Sequence, residues 1–472
     1  MASIVDIFQE HRRDDTPAII TDGHSITYRE LTDLVRQLAG GLERKLPEIE
    51  DLCLVVAHPG LPESLSLTLA GWSLGLRVAT IPAYLKARER EAVLSICTPT
   101  VIVSENTTDS PHSLSFEELR GSAPSSGGSS RPHARLESFT GGTTGRPKCA
   151  ERDVDRLSDD VGQLISAAGI VARDRVTTMT ASLSTTSVLP AIQAGATVVT
   201  MPLRSPRQFW KSIGEHSISV ISGTPYAYEL AALKKPDRDQ IQTVRLALTA
   251  SARLRPTTIE KIKHSTDIDI RNIMCSSESG HITFNTSSET GLLAHSVGKP
   301  LPGVQVEIRA DDGAVVPPGK TGVVCVKSRF TATGYRNDPD ETAQVFQDGW
   351  VVSNDSGYRD SQGNLYLTGR NDPRIHFGTA KLDPREIEDV VLQHPAVHDA
   401  LIVGIAHERL GQIPVLRAVI SSPVTTEELL NHCRVRLSPS KVPQRVEFVS
   451  EIAKSFTGQP VRPRFHRFTD VE

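Results

Sequence analysis

Thr140-Gly141-Gly142-Thr143-Thr144-Gly145-Arg146-Pro147-Lys148 is the stretch that decides this sequence. Its glycines let the backbone approach a ligand closely, so that successive N–H groups can point inward at phosphate oxygens. Thr140, Thr143 and Thr144 add hydroxyl donors, and Lys148 supplies a positive charge. The run is not a Walker A loop, which needs Gly-Lys-Ser/Thr, because Lys148 follows Pro147 and precedes Cys149. Glycine and threonine alone would also suit a surface linker, so segments elsewhere must decide between the two.

The chain around that loop has 472 residues, too many for one ordinary core, and two or more domains are expected. At 38% hydrophobic and 23% charged it has the make-up of a globular protein rather than a disordered or fibrous one. A net charge of -4 gives no global field to attract nucleic acid or an anionic membrane. The six cysteines (Cys53, Cys97, Cys149, Cys275, Cys325 and Cys433) form no CxxC pair and no zinc-ligand spacing, which suits a reducing, cytoplasmic setting. Residues 1–12 carry Asp6 and Glu10 and lack the apolar core of a signal peptide. The most apolar stretch, 65–85, is interrupted by Arg77 and Pro82; it reads as a buried helix and a strand, not a membrane span.

Helical and strand patterns alternate along most of the length, which predicts an α/β fold. Thr27 and Glu30 form a capping box ahead of an apolar face of Leu31, Leu34, Val35 and Leu38. Asp22-Gly23 just before them reads as a tight turn. Runs at 101–103, 196–201, 219–222 and 246–248 have the texture of buried strands. Residues 121–131 read as a Gly/Ser/Pro-rich surface loop. From Gly334 to Arg370 the sequence becomes hairpin-like, with turns at Asp348-Gly349 and Gln362-Gly363, and Pro384 then opens a helix bearing Ile387, Val390 and Val391. The expected division is a large domain of mixed sheets with flanking helices over 1–371, and a small mobile α+β domain over 372–472 of roughly 100 residues.

With these segments in view, the chain resembles the adenylate-forming superfamily of acyl-CoA synthetases, peptide-synthetase adenylation domains and firefly luciferase. The resemblance runs from residue 19 to residue 464. The phosphate loop departs from the family pattern at Gly141, for serine, and at Cys149, for glycine. Ser222-Gly223-Thr224-Pro225-Tyr226 is similar to the segment beside the acyl pocket, and Thr249-Ala250-Ser251-Ala252 to the strand end beside adenine. Met274-Cys275-Ser276-Ser277-Glu278 keeps the carboxylate of the family's Tyr-Gly-x-Thr-Glu segment but loses its aromatic and glycine. Gly334-Tyr335-Arg336-Asn337-Asp338-Pro339, Asp348-Gly349-Trp350, Asn354-Asp355-Ser356-Gly357-Tyr358 and Leu367-Thr368-Gly369-Arg370 follow in family order, and Lys441-Val442-Pro443 precedes the terminal segment.

The resemblance implies ATP-dependent activation of a small carboxylic acid, then transfer to a thiol of CoA or of a carrier protein's phosphopantetheine. It places the ATP phosphates on Thr140, Gly141, Gly142, Thr143, Thr144, Gly145 and Lys148. It places adenosine near Ser251 and Ser277, with the ribose on Asp355 and Arg370. Glu278 would hold Mg²⁺, a hard ion suited to a carboxylate, and Asp372 would sit at the hinge of the small domain. Cys275 reads as a packed residue rather than a nucleophile, since no histidine lies near it in sequence.

Three departures matter. The family's terminal catalytic lysine is replaced by glutamine in Thr457-Gly458-Gln459. Losing such a charge-stabilising contact costs on the order of 10²- to 10³-fold; Lys454 stands a little upstream. The acyl-transfer segment is Gly378-Thr379-Ala380-Lys381 rather than a paired glycine with a basic residue. Residues 180–188 contain neither the early histidine of many acyl-CoA ligases nor the aspartate that anchors an α-amino group, which favours an aryl or aliphatic acid. Two alternatives stay open beside the acid–thiol ligase: a nucleotide-binding homologue with a weak first half-reaction, and an amide-forming ligase that uses the adenylate.

Overall fold

Short runs of Val, Ile and Leu separated by amphipathic helices pack as parallel strands, because strands buried on both faces need unbroken apolar sequence. The computed structural model describes residues 15–46, 51–82, 85, 87–105, 112–125, 134–140, 147–179, 183–201, 205–250, 254, 256–286, 296–310, 312–370 and 375–452. Among them, a nine-stranded sheet has six adjacent parallel strands in the order Ile270–Ser276, Leu246–Thr249, Val220–Gly223, Arg175–Thr178, Thr197–Thr200 and Pro17–Thr21. The antiparallel strand Gly280–Phe284 flanks Ile270–Ser276. A six-stranded sheet is parallel through Val101–Ser104, Cys53–Ala57, Arg77–Thr80 and Arg135–Thr140, and ends on the antiparallel strand Lys148–Asp153.

Helices Tyr28–Lys45, Leu61–Ser73 and Val154–Ala168 contribute to one core shared by both sheets, in which Leu31, Leu65, Leu157 and Val161 meet Leu54, Val78, Val176 and Val198. The first helix starts on the capping box read from sequence: Thr27 Oγ1 accepts from the Glu30 N–H, and Glu30 accepts from the Thr27 N–H at 2.8 Å. Such a cap is worth about 1 kcal/mol. Its Tyr28 hydroxyl donates to the Ala196 carbonyl at 2.7 Å, fixing the helix to the nine-stranded sheet.

An antiparallel five-stranded sheet follows, containing Val304–Arg309, Gly322–Ser328, Trp350–Arg359 and Leu365–Arg370. Asp348 and Gly349 turn with positive φ, as the hairpin reading required. The C-terminal region forms its own five-stranded sheet around the long hairpin Val397–His407 and Gly411–Ile420. Helix Pro384–Val391 buries Ile387, Val390 and Val391 against it, in a core separate from that of the larger part. The molecule is thus mixed α/β, with a large N-terminal part and a small C-terminal one. No helix among the described residues is long and apolar enough to cross a membrane.

Candidate active site

Three segments singled out in the sequence lie on neighbouring parallel strands. Gly223 pairs with Thr249, and Thr249 with Asn272, so the segments after them emerge side by side at the carboxyl edge of the nine-stranded sheet. That edge is where open α/β sheets bind ligands, because the loops there leave a crevice between strands. Glu278 sits in the turn joining Ile270–Ser276 to Gly280–Phe284, tightened by the Ser279 N–H donating to Ser276 Oγ at 3.0 Å. Ser277 and Glu278 are both half-buried.

The stretch expected to hold phosphate joins two antiparallel strands whose last pair is Thr140 with Lys148. Gly141, Gly142, Thr143, Thr144, Gly145 and Arg146 lie outside the described residues, as does the Thr140 side chain. Lys148 is buried; its ammonium pairs with Glu341 of helix Pro339–Val345 and lies 5.2 Å from the Tyr335 ring centroid. The Tyr335 hydroxyl in turn donates to Glu278 Oε1 at 2.7 Å. One aromatic side chain therefore bridges the Lys148 cation and the Glu278 carboxylate.

Backbone contacts hold that bridge in place. The Arg336 N–H donates to the Cys149 carbonyl at 2.8 Å, and the Ala332 N–H to the Glu278 carbonyl at 2.7 Å. Thr342 Oγ1 accepts from the Tyr335 N–H at 2.9 Å and donates to the Asp338 carbonyl at 2.7 Å. Tyr335 also packs edge-on to Phe346, with centroids 5.4 Å apart. Asp355 and Arg370 stand directly opposite one another on antiparallel strands, so the two residues expected at the ribose share one place in the fold. The Arg370 side chain, Ser251, Asp372, Lys454 and Gln459 lie outside what is described.

Behind Glu278 is a buried charged cluster that the sequence reading did not find. Asp160 Oδ2 accepts from Arg152 Nη2 at 2.5 Å and lies 3.2 Å from His281 Nδ1, while Asp160 Oδ1 accepts from the His281 N–H at 2.9 Å. Burial alone would raise the Asp160 carboxyl, but His281 and Arg152 outweigh it and hold the group at about 2. Gly280 has φ +74, and a Cβ there would come within 2.5 Å of Asp160 Oδ2. The glycine is thus required both by its backbone conformation and by the cluster.

Tyr335 and Glu341 were also missed as site residues. Tyr335 lay inside a segment already matched to the family, but nothing in one sequence says which distant carboxylate a tyrosine will reach. Burial pushes the Cys275 thiol up to about 11, in keeping with a packed residue rather than a nucleophile. Folding also brings Cys53, Cys97 and Glu137 together, with ligand atoms within 4.8 Å, although their sequence spacing gave no sign of it. Hydrogen bonding with Cys97 and burial push the Cys53 thiol up. Cys53 Sγ donates to Glu137 Oε2 at 3.9 Å, while Arg77 pairs with Oε1.

A Gly/Thr-rich sequence ending on a buried lysine, and a carboxylate tied to that lysine through Tyr335, agree with an adenylate-forming class of enzyme. The chain belongs to the AMP-binding enzyme family: the family model matches residues 8–336, and that of the AMP-binding enzyme C-terminal domain matches 386–459. It is 27% identical to YdaB of Bacillus subtilis, named for an acyl–CoA ligase activity, over 94% of each chain. It is 37% identical to a 2-succinylbenzoate–CoA ligase of Bacillus cereus over 37% of this chain and 36% of that one. Its fold matches o-succinylbenzoate CoA synthetase from Bacillus subtilis with a TM-score of 0.87 at 22% identity, covering 98% of this chain and 97% of the other. It also matches an amide bond synthetase from Marinactinospora thermotolerans with a TM-score of 0.85 at 24% identity, covering 97% and 98%.

Proposed function

We propose that this protein activates an aryl or aliphatic carboxylic acid with ATP and transfers the acyl group to the thiol of CoA or of a carrier protein's phosphopantetheine. The observation that carries the reading is the Lys148–Tyr335–Glu278 bridge at the carboxyl edge of the nine-stranded sheet. In the first step a substrate carboxylate oxygen attacks the α-phosphorus, and pyrophosphate leaves with the electron pair of the broken P–O bond. In the second, the thiol sulfur attacks the acyl carbon, its proton passes to solvent, and AMP leaves.

The protein's part is positioning and charge stabilisation. Lys148 holds the phosphates once it exchanges Glu341 for them, and Asp355 with Arg370 orients the ribose. Magnesium, when bound, neutralises phosphate charge. Glu278 would hold it, since its carboxylate is half-buried beside the Lys148 end of the loop and is oriented by Tyr335. In this reading 1–371 is the nucleotide-binding core, 372–472 is a mobile lid, Gln459 replaces the terminal catalytic lysine, and the enzyme works in the cytoplasm.

Pyrophosphate exchange and hydroxamate formation across a panel of aryl and aliphatic acids test the reading. ATP-dependent turnover with at least one acid is expected. ATP binding without exchange for any acid would instead favour a binding protein.

A further inference from the structure

The C-terminal sheet has its own core, and the contacts it makes with the rest of the chain include charged ones. Two such units joined by a single segment are expected to move relative to one another unless a large apolar interface holds them. A polar contact between them can therefore set the resting pose.

One contact stands out by its burial and charge. Lys441 ends the short helix Pro439–Lys441, and its Nζ lies 2.8 Å from Glu386 Oε1, in the first turn of Pro384–Val391 within the same unit. The same Nζ lies 2.7 Å from Glu89 Oε1, in the first turn of Ala87–Cys97, which belongs to the large unit. The Glu89 side chain is only 5% exposed and that of Lys441 22%. Burial opposes the Lys441 charge, but the two carboxylates more than restore it and hold the ammonium above its usual value.

The two halves of this triad are not equivalent. Lys441 and Glu386 travel together, whereas Lys441–Glu89 must break if the small unit moves.

We propose that Lys441 is a positioning residue whose ion pair with Glu89 clasps the C-terminal unit against the large one and so favours one pose of the unit over the others. That different poses serve different half-reactions rests on the ligase reading above; the clasp itself does not. Loss of the bond weakens one pose relative to the others and shifts their populations by the differential energy of the contact.

Glu89→Gln is the informative variant, because Lys441 keeps Glu386 and the small unit retains its own pair. Thiolysis of a synthetic acyl-adenylate and pyrophosphate exchange should then change unequally, one of them by about three- to tenfold. Deuterium uptake over residues 87–97 should increase, and Lys441→Arg should keep both properties near wild type. Equal losses in both half-reactions, or unchanged uptake over 87–97, would overturn the proposal. If wild type shows no pyrophosphate exchange, the ligase reading fails, and hydrogen exchange alone still decides whether the clasp exists.

Discussion

The Tyr335 hydroxyl donates a 2.7 Å hydrogen bond to the Glu278 carboxylate. The same ring lies 5.2 Å from the Lys148 ammonium, so one side chain orients an anion and flanks a cation. Arrangements of this kind fix charged groups before the substrate arrives, which is what electrostatic catalysis requires.

Tyr335→Phe removes that hydrogen bond but keeps the ring contacts with Phe346 and Lys148. A hydrogen bond to a charged group is worth about 1.5–3 kcal/mol. Pyrophosphate exchange should therefore fall roughly 10- to 100-fold, with little change in thermal midpoint. A full-rate variant would show that Glu278 does not depend on Tyr335.

Lys148 and Glu341 are a second pair to separate. Lys148→Met should cost on the order of 10²- to 10³-fold in adenylation and raise the KM for ATP. Glu341→Gln should lower that KM, because the lysine no longer has to leave a carboxylate to meet the phosphates. Steady-state kinetics of both single variants and the double variant measures the coupling. An increase in the KM for Glu341→Gln would mean that the pair positions Lys148 rather than occupying it.

Gln459→Lys returns a positive charge to the terminal segment. If the missing charge limits the first half-reaction, exchange should rise by at least about tenfold. Thiolysis of preformed acyl-adenylate should be unaffected. No gain would place the limit elsewhere.

Asp160 gives a pH prediction. Its carboxyl is held at about 2 against an ordinary 3.8, so the folded state favours the charged form. Stability from this group is fully present above the unfolded value and is lost as pH falls through the folded one. Asp160→Asn should destabilise the protein by about 2–4 kcal/mol at neutral pH. That difference from wild type should shrink between pH of about 4 and about 2. Denaturant titrations across that range check it, and a constant difference would argue that packing, not charge, is lost.

Much of the architecture was legible in the residues. The capping box at Thr27, the Asp22-Gly23 and Asp348-Gly349 turns, and the apolar runs that became strands Val101–Ser104, Thr197–Thr200, Val220–Gly223 and Leu246–Thr249 are local signals, readable within a few neighbours. The C-terminal helix from Pro384 followed the same logic. So did the family segments, since each is a short motif in a fixed order.

What no local signal carried was which motifs meet. Lys148 reaches Glu341 across 193 residues of sequence, Tyr335 reaches Glu278 across 57, and Asp160 accepts from the His281 N–H across 121. These encounters depend on parallel strand order and on a segment threading back beside Lys148–Asp153, and both are properties of the packed sheets. By itself the sequence determined many of the strands and helices and the family to which the chain belongs. Only the tertiary structure decided that Tyr335 joins the loop's lysine to Glu278 and that Lys441 joins the small unit to Glu89. The physical reason is that backbone preferences and apolar periodicity act over a few residues, whereas charged partners are chosen by burial, which exists only once the chain has folded.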